Sequence, residues 1–222
     1  MRRDSSSAER FRPRGVLGWA IVLFMDYSYQ YLRKSGNVRL ECSITPMTII
    51  SLTNARLRPW AWEDAKPLVR HANNRNVSRN LRDVFPYPYT ESDAHAWLER
   101  VVRVVPITNF VIEVHGEAAG SVGLRLKTDM YRRSAELGYW LGQAHWGRGI
   151  ATEATRAMIK YGFSEFDLIR IEADVIDRNL ASVRVLEKAG LTLEGRLRRA
   201  VIKDEEILDT LLYAIVVETT AS

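Results

Sequence analysis

The sequence predicts an α/β fold: a mixed, mostly antiparallel central sheet flanked by helices. From residue 48 onward, β-branched runs of strand length alternate with helix-length segments. Three strand-like runs in mid-chain follow one another through short turns, as hairpins do, so an all-parallel sheet is excluded. At 46% hydrophobic and 27% charged over 222 residues, the composition is that of one globular domain with an appendage.

Residues 48–60 are rich in β-branched and apolar side chains and read as the first strand. Residues 63–73 read as a helix opened by acidic residues. The stretch 80–89 (NLRDVFPYPY) is irregular, because two prolines interrupt it. Thr90-Glu91-Ser92-Asp93 resembles a capping box and opens a helix to about residue 104. Strands at 110–115 and 118–127 flank a turn at Gly116, and 134–141 is a third. A helix over 149–163, a strand at 169–175 and a helix over 180–189 follow, and strands at 191–201 and 207–217 close the domain. The predicted order is β-α-α-β-β-β-α-β-α-β-β, without internal repeats.

Residues 1–47 read as a basic N-terminal extension, and 218–222 as a short tail. Residues 1–46 carry eight Lys/Arg against four Asp/Glu, so their +4 accounts for most of the chain's +5. The domain itself is near neutral, which argues against a nucleic-acid partner. An apolar run at 15–25 follows Arg2, Arg3, Arg10, Arg12 and Arg14. It is shorter than the about 20 residues that a bilayer span needs, so no stable membrane insertion is expected. Targeting, a disordered extension and a start assigned upstream of Met47 all stay open for this segment. A single cysteine, Cys42, excludes a disulfide framework, and four scattered histidines give no metal-ligand spacing, so no metal is expected.

The stretch from Glu136 to Ala154 carries the chemistry. A strand runs into a loop with Gly147 and Gly149, and a proline-free helix follows. Glycines at such a junction let backbone N–H groups turn inward, and the helix N-terminus adds partial positive charge. The result suits a pyrophosphate. The stretch is neither G-x-G-x-x-G nor a P-loop ending in G-K-[ST], and taken alone it reads as readily as a plain glycine turn.

The block WGRGIATEA (146–154), followed by NLASVRVLEKAG (179–190), resembles the two signature blocks of the GNAT acetyltransferase superfamily. ARLRPW (55–60), FPYPYT (85–90), AELGYWL (135–141) and LLYAI (211–215) resemble its ribosomal-protein-alanine N-acetyltransferase (RimJ/RimL) branch. The likeness covers about 49–217. It implies a GNAT-type fold, acetyl-CoA as cosubstrate and a primary amine as acceptor, attacked directly in a ternary complex. The branch points to a protein N-terminal α-amino group. A small amine (polyamine, aminoglycoside or amino acid derivative) and a catalytically lapsed CoA-binding module are the alternatives. A cytoplasmic enzyme is implied, and a homodimer is left open.

The resemblance places backbone groups of Tyr139, Trp140 and Leu141 along the pantetheine arm. It places Gly147, Arg148, Gly149, Ile150, Ala151 and Thr152 around the pyrophosphate. The loop departs from the family at Trp146, where Gln or Arg is common; backbone amides and Arg148 then carry the binding. Asn179 either caps its helix or bonds the arm. Glu136 shares a face with Gly138 and Trp140 and is the expected base, with a structural ion pair the equal alternative. Ser182 is the expected proton donor to the leaving thiolate, with helix capping as its plain alternative. Val201 stands where some members carry Glu, and Asp204, Glu205, Glu206 and Asp209 nearby read as a solvated hairpin. His145 reads as a surface residue. Phe85, Tyr87 and Tyr89 read as an acceptor-side lip or as loop packing.

Overall fold

Turn-forming Thr53 and Asn54 break the expected first strand in two. Leu52 N–H bonds the Ala55 carbonyl at 2.9 Å and closes a tight turn. The result is a short antiparallel pair, β1 (Ile50–Ser51) and β2 (Arg56–Arg58). The computed structural model describes residues 48–217, so the expectations for the extension and the tail lie outside the described residues.

A 3₁₀ turn leads into α1 (Ala65–Ala72), and the Asp64 carboxylate accepts Ala61 N–H at 2.9 Å. A four-residue helix, α2 (Arg75–Ser78), follows; its cap Asn74 accepts Asn76 N–H at 2.8 Å. The sequence pattern did not reveal α2, because one helical turn is too short for a periodic signal. The capping box at α3 (Glu91–Val101) forms as expected: Thr90 N–H donates to Asp93, and Asp93 N–H donates to the Thr90 hydroxyl.

The remaining elements are β3 (Asn109–Val114), β4 (Glu117–Leu126), β5 (Ser134–Leu141), α4 (Ile150–Glu165), β6 (Arg170–Ile176), α5 (Leu180–Ala189), β7 (Thr192–Lys203) and β8 (Glu206–Val216). They build one eight-stranded sheet in the order β1-β2-β3-β4-β5-β6-β8-β7. The parallel pair is β5–β6, and α4 is the crossover that such a pair requires. The other neighbours are antiparallel.

Alternation divides the sheet between two cores. Val122, Leu124, Leu137, Ile171 and Tyr213 pack with Ile150, Met158 and Leu186 of α4 and α5. On the opposite face Val111 and Ala118 pack with Trp60, Leu68 and Leu98 beneath α1 and α3. That second core covers the β3–β4 side of the face and leaves its β5–β6 side to charged residues. Among the described residues, no helix is long and apolar enough to cross a membrane.

Candidate active site

β5 and β6 begin as neighbours and then part. They pair at Ser134↔Arg170, Ala135↔Ile171 and Glu136↔Glu172. Beyond Glu136, β5 stays with β4 as far as Leu141↔Gly120. β6 stays with β8 as far as Ile176↔Thr210. The facing edges at 137–141 and 173–176 therefore form a fork without ladder bonds between them. An extended chain entering the fork finds backbone donors and acceptors there, as an added strand would.

At the mouth of the fork the chain turns through Gly147 (φ 74°) and Gly149 (φ 79°) into α4. Both are left-handed conformations that side chains other than glycine's rarely adopt. A Cβ on either would meet no atom within 4 Å, so the space above the loop is open. The first intrahelical bond runs from Glu153 N–H to the Gly149 carbonyl at 3.1 Å. The amides of Ile150, Ala151 and Thr152 thus have no acceptor within the helix. Open space, free amides, the dipole of a 16-residue helix and the exposed Arg148 suit the pyrophosphate of a CoA ester.

Trp146 has a part that the loop motif did not reveal. Its indole N–H donates to the Leu141 carbonyl at 2.7 Å and fastens the loop to the end of β5. Leu141 keeps its place at the fork with that carbonyl already bonded.

On the α5 side of the fork, Tyr139 and Ser182 meet, their hydroxyl oxygens 2.6 Å apart. Burial pushes the Tyr139 phenol up to about 12, against the bond to Ser182, so it keeps its proton at neutral pH. Asn179 caps α5 by accepting Ser182 N–H at 3.3 Å. Ser182 itself is not the cap, so its hydroxyl is free for other work. The sequence placed only the Tyr139 backbone at the site; its hydroxyl contact across the fork depends on how α5 docks.

The opposite face is charged. Glu136 forms ion pairs with both Arg82 and Arg125. Glu172, its register partner, binds Lys127 and also Arg170, the latter at 2.8 Å. Burial disfavours the Glu172 carboxylate, but the two cations outweigh it and hold the group below its ordinary range. Asp174, two residues further on, is exposed in the fork and has no ion-pair partner among the described residues.

The irregular stretch 80–89 roofs this face. Phe85 packs against Tyr89 and Trp140, with ring centroids at 5.0 and 5.4 Å. Tyr87 stays exposed, with the Arg75 guanidinium 5.6 Å from its ring centroid. Val201 lies in β7 opposite Leu208. Three of the four acids near it are ion-paired, Asp204 with Arg75, Glu206 with Arg178 and Asp209 with Arg196, and Glu205 is exposed. A cavity of about 140 Å³ opens between Arg75, Arg79, Arg178, Asp204 and Glu206. His145 is half-buried against His71, centroids 5.2 Å apart, and burial holds both imidazoles below their ordinary value. Among the described residues, no group of three or more His, Cys, Asp or Glu side chains is placed to hold a metal ion.

This forked mixed sheet, with a glycine loop and an open helix N-terminus at its mouth, defines a class of CoA-binding acyltransferase folds. Residues 54–192 match the acetyltransferase (GNAT) domain family, and the chain belongs to that family. YnaD, an uncharacterized N-acetyltransferase of Bacillus subtilis, is 36% identical over 169 residues, covering 75% of this chain and 97% of that protein. A 69-residue stretch is 54% identical to YjcK of Bacillus subtilis, covering 31% of this chain and 38% of that protein. The spermidine N(1)-acetyltransferase of Escherichia coli K12 is 29% identical over 66% of this chain and 77% of its own. The structure of RimL, a ribosomal L7/L12 α-N-protein acetyltransferase in complex with coenzyme A, superposes with a TM-score of 0.64. It is 20% identical over 77% of this chain and 98% of its own, a likeness of fold.

Proposed function

We propose that this chain moves the acetyl group of acetyl-CoA to a primary amine, by direct attack within a ternary complex. The observation that carries the reading is the fork between β5 and β6, ending at an open cradle of amides on α4. The pyrophosphate sits on the backbone of residues 147–152, with Arg148 beside it. The pantetheine arm lies along Tyr139, Trp140 and Leu141. The acetyl group comes to rest near the point where the strands part. The chain's single cysteine, Cys42, lies outside the described residues, and direct attack by the amine needs no acyl-enzyme.

The amine nitrogen bonds to the thioester carbonyl carbon, and the carbonyl π electrons move to oxygen. When the tetrahedral adduct collapses, the C–S electron pair leaves with sulfur. Ser182 gives its hydroxyl proton to that thiolate, and its contact with Tyr139 at 2.6 Å orients the hydroxyl. Ser182 regains a proton released from the adduct nitrogen. Glu136 would lose two ion pairs if it took a proton, so we give it the part of fixing Arg82 and Arg125 at the fork.

For the acceptor we propose a protein N-terminal α-amino group. The carboxylates around this face are largely matched to cations of the chain itself: Glu136, Glu172, Asp204, Glu206 and Asp209 all carry Arg or Lys partners. A polyamine would have to displace those partners, whereas a single α-ammonium needs one acceptor. Use of acetyl-CoA fits a cytoplasmic location. The test is calorimetry with acetyl-CoA, then acetyl-CoA consumption with alanine-terminated peptides and with spermidine. Binding with faster turnover of the peptides is expected. Faster turnover of spermidine would overturn the acceptor assignment, and binding without turnover on any amine would overturn the transferase reading.

A further inference from the structure

This inference rests on the transferase reading above and concerns which group takes the proton from the amine. Alternation and register set Glu136, Gly138, Glu172 and Asp174 on one face of the sheet. Gly138 and Asp174 are each two residues past the last β5–β6 pair, Glu136↔Glu172, on the two arms of the fork. A Cβ on Gly138 would meet no atom within 4 Å, so this face of β5 is open just past the last β5–β6 pair. Glu136 and Glu172 line the same face, but each is bound by two cations. Asp174 is exposed there and has no such partner among the described residues.

We propose that Asp174 is the general base that accepts the proton of the acceptor ammonium. One N–H bond of the ammonium breaks, and the proton passes to the Asp174 carboxylate, directly or through a water in the space beside Gly138. The freed lone pair forms the N–C bond to the thioester. After CoA leaves, Asp174 returns its proton to solvent, so each turnover releases one proton.

The charged groups facing Asp174 are Glu172 on its own strand, Glu136 on β5, Lys127 after β4 and Arg82 on the covering loop. The Asp174 side chain is open to the fork by surface area, yet the protein crowded around it still removes part of its carboxylate's hydration. This partial desolvation and the Glu172 charge push the carboxyl above its ordinary range, and Arg82 and Lys127 only partly oppose them. A carboxylate so destabilised is a better proton acceptor than either ion-paired glutamate.

The test is Asp174→Asn, assayed on an alanine-terminated peptide and on spermidine between pH 6 and 9, with melting temperature and acetyl-CoA affinity measured alongside. We expect kcat at pH 7 to fall by about 100-fold, a typical effect of losing a general base. The defect should shrink toward pH 9, where more amine arrives neutral. Acetyl-CoA affinity should hold, and the melting temperature should hold or rise, since the fold penalises this carboxylate. A purely structural role would instead lower the melting temperature. Carboxyl-carbon NMR of the wild-type protein should place the Asp174 titration above the ordinary value of about 4. Loss of wild-type turnover on every amine would sink the transferase reading and this assignment with it. Given wild-type turnover, undiminished kcat in the Asn variant or an Asp174 titration at or below about 4 overturns Asp174 alone.

Discussion

Replacing Gly149 probes the cradle directly, because the backbone and electrostatic effects there can be separated. Gly149 caps α4 at φ 79°, and a Cβ on it meets no atom within 4 Å. Gly149→Ala therefore costs conformational strain and no clash, about 1–2 kcal/mol for an L-residue held in the left-handed region. In a domain of this size each kcal/mol lowers the melting temperature by about 2–4 °C, so a fall of about 2–8 °C is expected. Gly149→Asp adds a negative charge beside the amides of Ile150, Ala151 and Thr152. A carboxylate about 4 Å from a phosphate charge repels it by about 4 kcal/mol at a surface-like dielectric constant, and salt screening leaves roughly half. At 1.4 kcal/mol per decade, the acetyl-CoA Kd should weaken by about 30-fold in the Asp variant. The Ala variant should stay within roughly threefold of wild type, because it adds no charge. Calorimetric titration of both folded variants with acetyl-CoA is the assay. Equal affinities for the Ala and Asp variants would refute the placement of the pyrophosphate on this loop.

Ser182→Ala should lower kcat by roughly 10²-fold through the leaving thiolate, and raising the pH should not relieve it as it relieves a base variant; recovery at high pH would remove Ser182 from that step. Trp146→Phe deletes the N–H bond to the Leu141 carbonyl and should cost about 1 kcal/mol, read as a lower melting temperature; an unchanged melt would show that the bond does not hold the loop. Glu113 is buried, which opposes its charge, but Arg56 and Arg58 outweigh burial and hold its carboxyl below the ordinary range. The folded value being the lower one, this stability is present above the unfolded value of about 4.3 and is lost as pH falls through the folded value. Glu113→Gln should therefore flatten the acid limb of a stability–pH curve below about pH 4.3, and an unaltered limb would discount the pairing of Glu113 with Arg56 and Arg58.

Much of the fold was legible from local chemistry. The strand-length run at 134–141 marked β5, and the helix-length segment after Asn179 marked α5 over 180–189. Thr90 and Asp93 announced α3, because a capping box depends on neighbours in the chain. The glycine loop before α4 was equally legible, since φ near +75° at Gly147 and Gly149 is a local demand that glycine meets. Local signals failed where elements were short: the split of 48–60 into β1 and β2, and the single turn of α2, have no periodicity to read.

What only the tertiary structure decided was which side chains share a space. The sequence put Glu136 on the right face, but its two arginine partners come from the covering loop, 54 residues earlier, and from β4. It singled out Ser182 without the Tyr139 hydroxyl, which reaches it only because α5 packs across the diverging strands. Asp174 gave no signal at all in the sequence. It is one acid among many until the parting of β5 from β6 leaves it unpaired beside open space, while the ladder and its cations claim Glu136 and Glu172. Periodicity and turn chemistry act between near neighbours in the chain and can be read along it. Charge pairing and desolvation act between residues that only folding brings together, and they decide which carboxylate is free to take a proton.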